Sequence, residues 1–384
     1  MPTGPGDVLD LIRQGRATTR GEVLEVTGLS RMTVAQRIDS LLTERLIVEG
    51  PAGAATGGRR SKSLQFNAQY SHVLAATVDT THTRVAVTDL SGRILADEHV
   101  DVAVESGPQQ TLAAITSAAS TLLEKADVVP ASVCGLGISV PGPIDPQSGR
   151  PSQPPIMPGW DAYPIADHLQ AALGLGPVLA ANDADAAALG EHTVGHPDAR
   201  ALCLVKVSTG IGTGIVIDGR IYRGADGGAG DVGHVRLRDH ADARCQCGAQ
   251  GCLAAVSSGR AVAGRLRELG RDAHSGRDVR ELLAAGDADA ARITQEAGLR
   301  IGEVMATVVC VLNPEVVVVG GDLASAPLLA GIRETLYRLS LPRATRHMAL
   351  ELGALGDDAA IVGLTRMVVD DQFSASAVNL RLGG

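Results

Sequence analysis

No stretch of the 384 residues is apolar for long enough to cross a bilayer. The N-terminus also lacks the basic segment leading into an apolar run that marks a secretory leader. Lysine is nearly absent, three residues against 31 arginines, a bias that reads as GC-rich coding and carries little chemistry. Cysteine is scarce too: of six, Cys134, Cys203 and Cys310 stand singly in apolar segments and read as core residues. These absences argue against a membrane-spanning protein or a disulfide-built secreted scaffold. The expectation is a soluble, cytoplasmic chain with two or three domains, long enough for each to have its own core.

The other three cysteines are crowded. His234 is followed by Cys245-Gln246-Cys247-Gly248-Ala249-Gln250-Gly251-Cys252. Four soft or borderline ligands in so short a window predict a closed tetrahedral zinc site with no open position, hence a structural metal. Gly248 and Gly251 give the loop the backbone freedom to bring three thiolates to one ion. The bland alternative is a chance cluster of reduced thiols.

Net charge is −9, unevenly spread. Residues 1–66 carry +2 and residues 67–384 carry −11. Any polyanion is therefore expected at the N-terminus.

That N-terminal stretch has its own pattern. Residues 7–14 present Val8, Leu9, Leu11 and Ile12 on one helical face. Thr19 is placed to cap a second helix over 20–27, Gly28-Leu29 to turn, and Ser30 to cap a third helix running to about residue 44. In the third helix Val34, Ile38, Leu41 and Leu42 face inward, leaving Arg31, Thr33, Gln36 and Arg37 outside. This is the spacing of a helix-turn-helix whose second helix enters the major groove. Arg and Gln can read G and A edges bidentately there. Residues 47–49 and 63–66 are expected to pair as a hairpin. Its glycine-rich loop carries Arg59, Arg60 and Lys62 and no acid, which suits a wing reaching DNA phosphates or the minor groove. The alternative is a small helical dimerisation or protein-binding module with a basic linker.

From residue 73 the pattern becomes β-rich. Strands are expected over 73–78, 84–89 and 94–99, and a helix over about 109–126. A buried strand then ends in Pro141-Gly142-Pro143. Residues 178–181 form a strand ending at Asn182-Asp183-Ala184-Asp185, followed by a helix. Residues 202–207 lead into Ser208-Thr209-Gly210-Ile211-Gly212-Thr213-Gly214, with a strand expected from residue 215 and a tight turn at Asp218-Gly219. Residues 316–319 end in Gly320-Gly321.

With Gly230-Asp231-Val232-Gly233-His234, the cysteine cluster and Asn313-Pro314-Glu315, these segments resemble the ROK family (repressor, open reading frame, kinase). The resemblance is to the type with an N-terminal winged helix, and it covers essentially the whole chain. It implies an α/β fold: a winged helix-turn-helix over residues 1–68, then a two-lobed body over 73–384 of the actin/hexokinase-like (ribonuclease H-like) ATPase type, with a structural zinc. Lobe 1 is expected over about 73–183 with a returning helix at about 357–370, and lobe 2 over about 184–356. The resemblance assigns zinc to His234, Cys245, Cys247 and Cys252, in agreement with their spacing. It places a sugar beside Asn182, Asp183, Asp231 and His234, with Asp183 as the kinase base. Thr209, Gly210, Gly212 and Gly214 correspond to the second phosphate loop. For Asn182 and Asp183 the plain alternative is capping of the following helix.

Two departures from the family stand out. Family kinases carry Asp-x-Gly-Gly-Thr after the first strand, whereas this chain has Asp79-Thr80-Thr81-His82-Thr83. Two side chains, one β-branched, replace glycines where backbone must approach phosphate. ATP and Mg²⁺ are therefore not expected cofactors, and Asp183 is expected to be a vestigial base. Family members also have Glu where this chain has Asp231 and Ala254. Losing a charge-assisted bond to a sugar hydroxyl costs about 1.5–3 kcal/mol, so a different or modified sugar is expected, or no sensing at all.

The sequence thus predicts a DNA-binding transcriptional regulator, a repressor of carbohydrate uptake or metabolism genes, with a sugar or sugar derivative as effector. A homodimer or homotetramer on an inverted-repeat operator in double-stranded DNA follows from symmetry. The rivals are an active sugar kinase carrying a DNA-binding module, and a constitutive DNA-binding scaffold with a dead pocket. Residues 371–384 extend past the last core-like segment, either as an interaction tail or as a frayed end.

Overall fold

Three capped helices and a hairpin open the computed structural model, which describes residues 4–52 and 62–383. The helices are α1 (Pro5–Arg13), α2 (Arg20–Thr27) and α3 (Arg31–Thr43). Thr19 Oγ1 accepts from the Glu22 N–H while the Glu22 carboxylate accepts from the Thr19 N–H, a reciprocal cap. Left-handed Gly28 ends α2, and Ser30 Oγ accepts from the Thr33 N–H to start α3. β1 (Ile47–Ala52) and β2 (Lys62–Phe66) pair antiparallel, Ile47 opposite Phe66. Val34, Ile38 and Leu41 are buried, but Leu42, expected inside, is only half-buried at the core's edge. Arg59 and Arg60, expected on the wing, lie outside the described residues.

The body contains the same sheet topology twice. β3 (His72–Val78), β4 (Thr83–Asp89) and β5 (Ile94–Val100) form an antiparallel meander. After α4 (Pro108–Lys125), β6 (Val133–Val140) returns parallel to β3; after α5 (Ile165–Leu173), β7 (Val178–Asn182) extends the sheet. The order is β5-β4-β3-β6-β7. α6 (Asp183–Gly195) leads to the second copy: β8 (Ala201–Val207), β9 (Ile211–Ile217) and β10 (Arg220–Ile221) make the meander. A helical excursion follows: α7 (Leu253–Ser257), α8 (Gly259–Glu268), α9 (Gly276–Ala284) and α10 (Ala288–Leu312). β11 (Val316–Gly320) returns parallel to β8, and after α11 (Ala326–Leu339) and α12 (Pro342–Thr345), β12 (Ala349–Leu352) completes the order β10-β9-β8-β11-β12. This doubled sheet is the actin/hexokinase-like α/β body.

α6 and α13 (Ala359–Gln372) lie between the two sheets. They cross backbone against backbone. A Cβ on Gly363 would stand 1.8 Å from the Ala186 carbonyl oxygen, and one on Gly190 would stand 1.9 Å from that of Ala359. No side chain fits there, so the crossing requires both glycines.

The chain ends in α14 (Ala375–Arg381), which packs on α1. Asn379 accepts from the Gly6 N–H at 2.7 Å and donates to Asp7 at 3.1 Å. Arg13 reaches Asp370 and the Phe373 carbonyl. Buried Phe373 meets Phe66 and Tyr70 edge-on. The frayed-end reading does not fit residues 371–383: they form a helical clamp that joins the N-terminal module and the first sheet in one apolar cluster.

Candidate functional site

A cavity of about 430 Å³ opens between the two sheets. Its lining includes Asn182, Asp183, Thr209, Gly210, Gly212, Asp231, His234, Cys245, Cys247 and Ala254. Most of the residues picked from the sequence as sugar, phosphate or metal contacts therefore converge on one place. A second cavity, of about 240 Å³, lies beyond it, and Asp79, Asp183, Lys206 and Ser208 line both.

Asn182 and Asp183 sit there because β7 ends at the cavity and α6 begins. Asn182 caps that helix, accepting from the Ala184 and Asp185 N–H groups, and its amide donates to the Gly142 carbonyl at 3.1 Å. The capping reading thus describes Asn182 correctly and leaves it facing the cavity as well.

Asp183 is not free. Its carboxylate is ion-paired with the Lys206 ammonium, which also lies 3.7 Å from Asp79. Burial pushes the Asp79 carboxyl up, but Lys206 and the Thr80 N–H outweigh it and hold it below the usual range. Burial works against the charged Lys206, yet the two aspartates hold its pKa above the ordinary value. Nearby Asp322 is pushed up by burial and by the charge on Asp79. Lys206 escaped sequence reasoning. The available signal was a lone lysine, one of three in the chain, inside the apolar strand β8.

The first phosphate-loop region joins the two sheets directly. The Thr80 and Thr209 hydroxyls are hydrogen-bonded at 2.7 Å. Arg277, from α9, donates to His82 Nε2 at 2.9 Å. Burial, then the charge on Arg277, holds the His82 pKa below its ordinary value, matching an imidazole that accepts at Nε2. His82, Arg277 and Arg280 line the second cavity.

The sequence-based phosphate loop needs correction. It was expected to run through Gly214, with a strand from residue 215, but β9 already starts at Ile211. Thr209 and Gly210 form the hairpin tip, whereas Gly212 and Gly214 are strand residues paired with Lys206 and Leu204. Gly214 does not line either cavity, and its cause is packing: a Cβ there would stand 2.1 Å from the Ala184 carbonyl oxygen of α6.

Asp185, two residues from Asp183, is 6 % exposed. Burial first, then the charges of Asp183 and Asp231, push its carboxyl up to about 7, against the pull of Arg223. Burial also raises the Asp231 carboxyl, partly offset by His234.

His234, Cys245, Cys247 and Cys252 come together with all four donor atoms within 4.8 Å of one another. Cys247 Sγ and Cys252 Sγ are 3.8 Å apart, as are Cys245 Sγ and His234 Nδ1. A tetrahedron with metal–sulfur bonds of about 2.3 Å has edges of about 3.8 Å, so the set fits a tetrahedral metal ion. Three of the four residues also line the main cavity; Cys252 is buried behind them.

Among the described residues, those expected to contact DNA lie on α3 and β2. Arg31 and Gln36 are exposed; Arg37 is half-buried, its Nε without a partner among the described residues. Thr33 spends its hydroxyl on Ser30 at 2.8 Å. Lys62 is ion-paired with Glu49 across the hairpin at 2.6 Å.

The sequence profile of the ROK family matches residues 74–371. The xylose repressor of Caldicellulosiruptor bescii is 28% identical over 383 residues, covering 96% of this chain and 95% of that protein. Among solved structures, a ROK family transcriptional regulator, a homologue of the E. coli MLC protein, superposes with a TM-score of 0.81. It is 25% identical and 98% of each chain is covered. A ROK family glucokinase from Streptomyces griseus, solved with glucose and AMPPNP, gives a TM-score of 0.68 at 26% identity, covering 77% of this chain and 99% of its own.

Proposed function

Because the chain belongs to the ROK family, we propose that it is a DNA-binding transcriptional regulator, a repressor of carbohydrate uptake or metabolism genes. Its effector is a sugar or sugar derivative held between the two lobes. The carrying observation is that similarity to the regulator structure spans 98% of the chain, whereas the glucokinase covers 77%. The regulator-specific share includes the three helices and hairpin that α14 fastens to the body.

In this reading α1–α3 with β1 and β2 form a winged helix-turn-helix. Arg31, Gln36 and Arg37 of α3 face base edges, and Arg59, Arg60 and Lys62 of the wing meet phosphates. Thr33 serves as a cap residue rather than a reader. The protein works in the cytoplasm as a homodimer or homotetramer on an inverted repeat.

Phosphoryl transfer is lost. A kinase base must be free to take a proton from the attacking hydroxyl, but Asp183 is bonded to Lys206. On the nucleotide side Thr81 and His82 stand in place of a glycine loop, and His82 and Arg277 line the second cavity. What remains is binding: Asn182, Asp183 and Asp231 offer hydrogen-bond partners to sugar hydroxyls. His234, Cys245, Cys247 and Cys252 hold zinc, which supplies structural closure of the loop and no open coordination position. Sensing then requires the ligand to favour one lobe arrangement over the other. The clamp through Arg13, Phe373 and Asn379 carries that change to the DNA-reading helices.

The test is fluorescence anisotropy on DNA fragments upstream of the chain's own gene, with and without a sugar panel, alongside an ATP-consumption assay with Asp183→Ala as control. Sequence-specific binding relieved by a sugar, with no ATP turnover, is the expected result. ATP turnover abolished by Asp183→Ala would restore the kinase reading.

A further inference from the structure

We infer that the ligand held in the main cavity is an anionic sugar, one carrying a carboxylate or a phosphate. This deepens the proposed sensing role and rests on it. The carboxylates that can accept from sugar hydroxyls include Asp183 and Asp231, beside amides such as Asn182 and Gln153 and hydroxyls such as Ser258. At the position of Ala254 there is no acceptor at all. Two arginines line the same cavity: Arg244, on the loop before the first metal-site cysteine, and Arg260, in the first turn of α8. Both are exposed, and neither guanidinium has an ion-pair or hydrogen-bond partner among the described residues.

The donor and acceptor balance decides between ligand classes. A neutral sugar presents hydroxyls, which carboxylates recognise well by accepting their protons. A guanidinium has five donors and no acceptor, and its best partner is an acceptor-only group such as a carboxylate or phosphate. Lys206 cannot serve, because Asp183 and Asp79 occupy it. Arg244 and Arg260 are the cavity's uncommitted cations, set among a hydroxyl-binding aspartate and an alanine. A ligand with hydroxyls at one end and an anion at the other satisfies both sets. A cavity of about 430 Å³ has room for a hexose bearing such a group.

The experiment is calorimetry on the full-length, zinc-loaded protein with D-glucose, D-gluconate and D-glucose 6-phosphate. One or both anions are expected to bind about tenfold or more tightly than glucose, with affinity falling as salt is raised. The two arms separate carboxylate from phosphate. Arg260→Gln and Arg244→Gln are each expected to lower anion affinity about tenfold while leaving glucose affinity unchanged. Metal content measured on both variants guards against a disturbed cysteine loop. Ala254→Glu is expected to weaken the anion further. Glucose binding as tightly as both anions, or anion affinity indifferent to both arginine changes, overturns the inference. If glucose alone binds and releases DNA, the regulator reading stands and the anionic ligand falls; if no sugar binds, both fall.

Discussion

The Lys206 ammonium is ion-paired with the Asp183 carboxylate, and the same ammonium stands 3.7 Å from Asp79. One buried cation thus serves two aspartates at the junction of both cavities. Removing it leaves two carboxylates facing each other without a counter-charge. Lys206→Met is expected to destabilise the fold by about 3–5 kcal/mol, the usual cost of orphaning a buried charge. Adding Asp183→Asn should recover part of that loss, because the pair acts as a unit. Urea denaturation of both single variants and the double variant checks this. Simple additivity would show that the ion pair carries no coupling. No phosphoryl transfer is expected from either variant, since Thr81 and His82 still occupy the first phosphate loop.

Asp185 sets a pH dependence. Its folded-state pKa of about 7 lies above the unfolded value near 3.8, so the folded protein holds the extra proton between those limits. Stability contributed by this group is full below about pH 4, falls as pH rises from 4 to 7, and stays low above 7. Asp185→Asn should remove that slope and raise stability at pH 7.5 by on the order of 1–3 kcal/mol. Thermal unfolding from pH 4.5 to 8 tests it; parallel curves for both proteins would contradict it.

Much of this was legible in the sequence because its signals are local. Caps at Thr19 and Ser30 and the apolar periods of α1 to α3 are short-range patterns, and the structure realises them. The metal-site residues were readable because ligand spacing within one loop is itself the signal. The failures were tertiary. Gly212 and Gly214 looked like loop glycines because sequence alone does not reveal that α6 presses on β9. Lys206 went unread because its partners, Asp79 after β3 and Asp183 at the start of α6, meet it only through the tertiary fold. The docking of α14 depends on Asn379 meeting Gly6, across almost the whole sequence.

For DNA recognition, the two groups of residues should separate by kind of effect. Arg31→Ala and Gln36→Ala, both exposed on α3, are expected to relax sequence preference at single positions, each costing about 1–3 kcal/mol on the preferred site. Arg59→Ala and Arg60→Ala should weaken binding uniformly and reduce the salt slope by about 1 each. Lys62→Ala should have the smaller effect, because its charge is already matched by Glu49. Anisotropy titrations on specific and scrambled duplexes at several salt concentrations distinguish these outcomes.

Metal removal should act on the cavity as well as on the loop. Three of the four metal-site residues line the cavity, and Asp231 is joined to His234 by the short turn that carries both. With zinc bound, two of the three thiolate charges are offset and the loop from residue 234 to 252 would be fixed. Chelation, or Cys247→Ser, should lower the melting temperature by several degrees and weaken ligand binding. Metal analysis should return one zinc per chain before treatment. Asp231 and Ala254 flank the cluster on either side, so a loosened loop spreads the hydroxyl-binding end of the site. Unchanged ligand affinity in metal-free protein would separate the metal from the pocket.

The clamp between α14 and α1 predicts an uncoupled protein. Arg13, Asn379 and Phe373 hold the N-terminal helices to the body through a buried guanidinium, an amide that both donates and accepts, and an aromatic contact. Burying one large apolar side chain contributes about 1.5–3 kcal/mol, and the bonds from Arg13 add to that. Truncation after Gln372 removes Phe373 and α14 together, leaving the α1–α3 core and both body sheets otherwise complete. The truncated protein should still bind ligand with near-native affinity. Its DNA binding should respond far less to that ligand, since this junction ties α1 to the end of α13. Arg13→Ala with Asn379→Ala should give the same loss of response in milder form. Calorimetry with the ligand, paired with anisotropy on operator DNA, measures both halves. A truncated protein whose DNA binding still responds fully would place the coupling elsewhere in the fold.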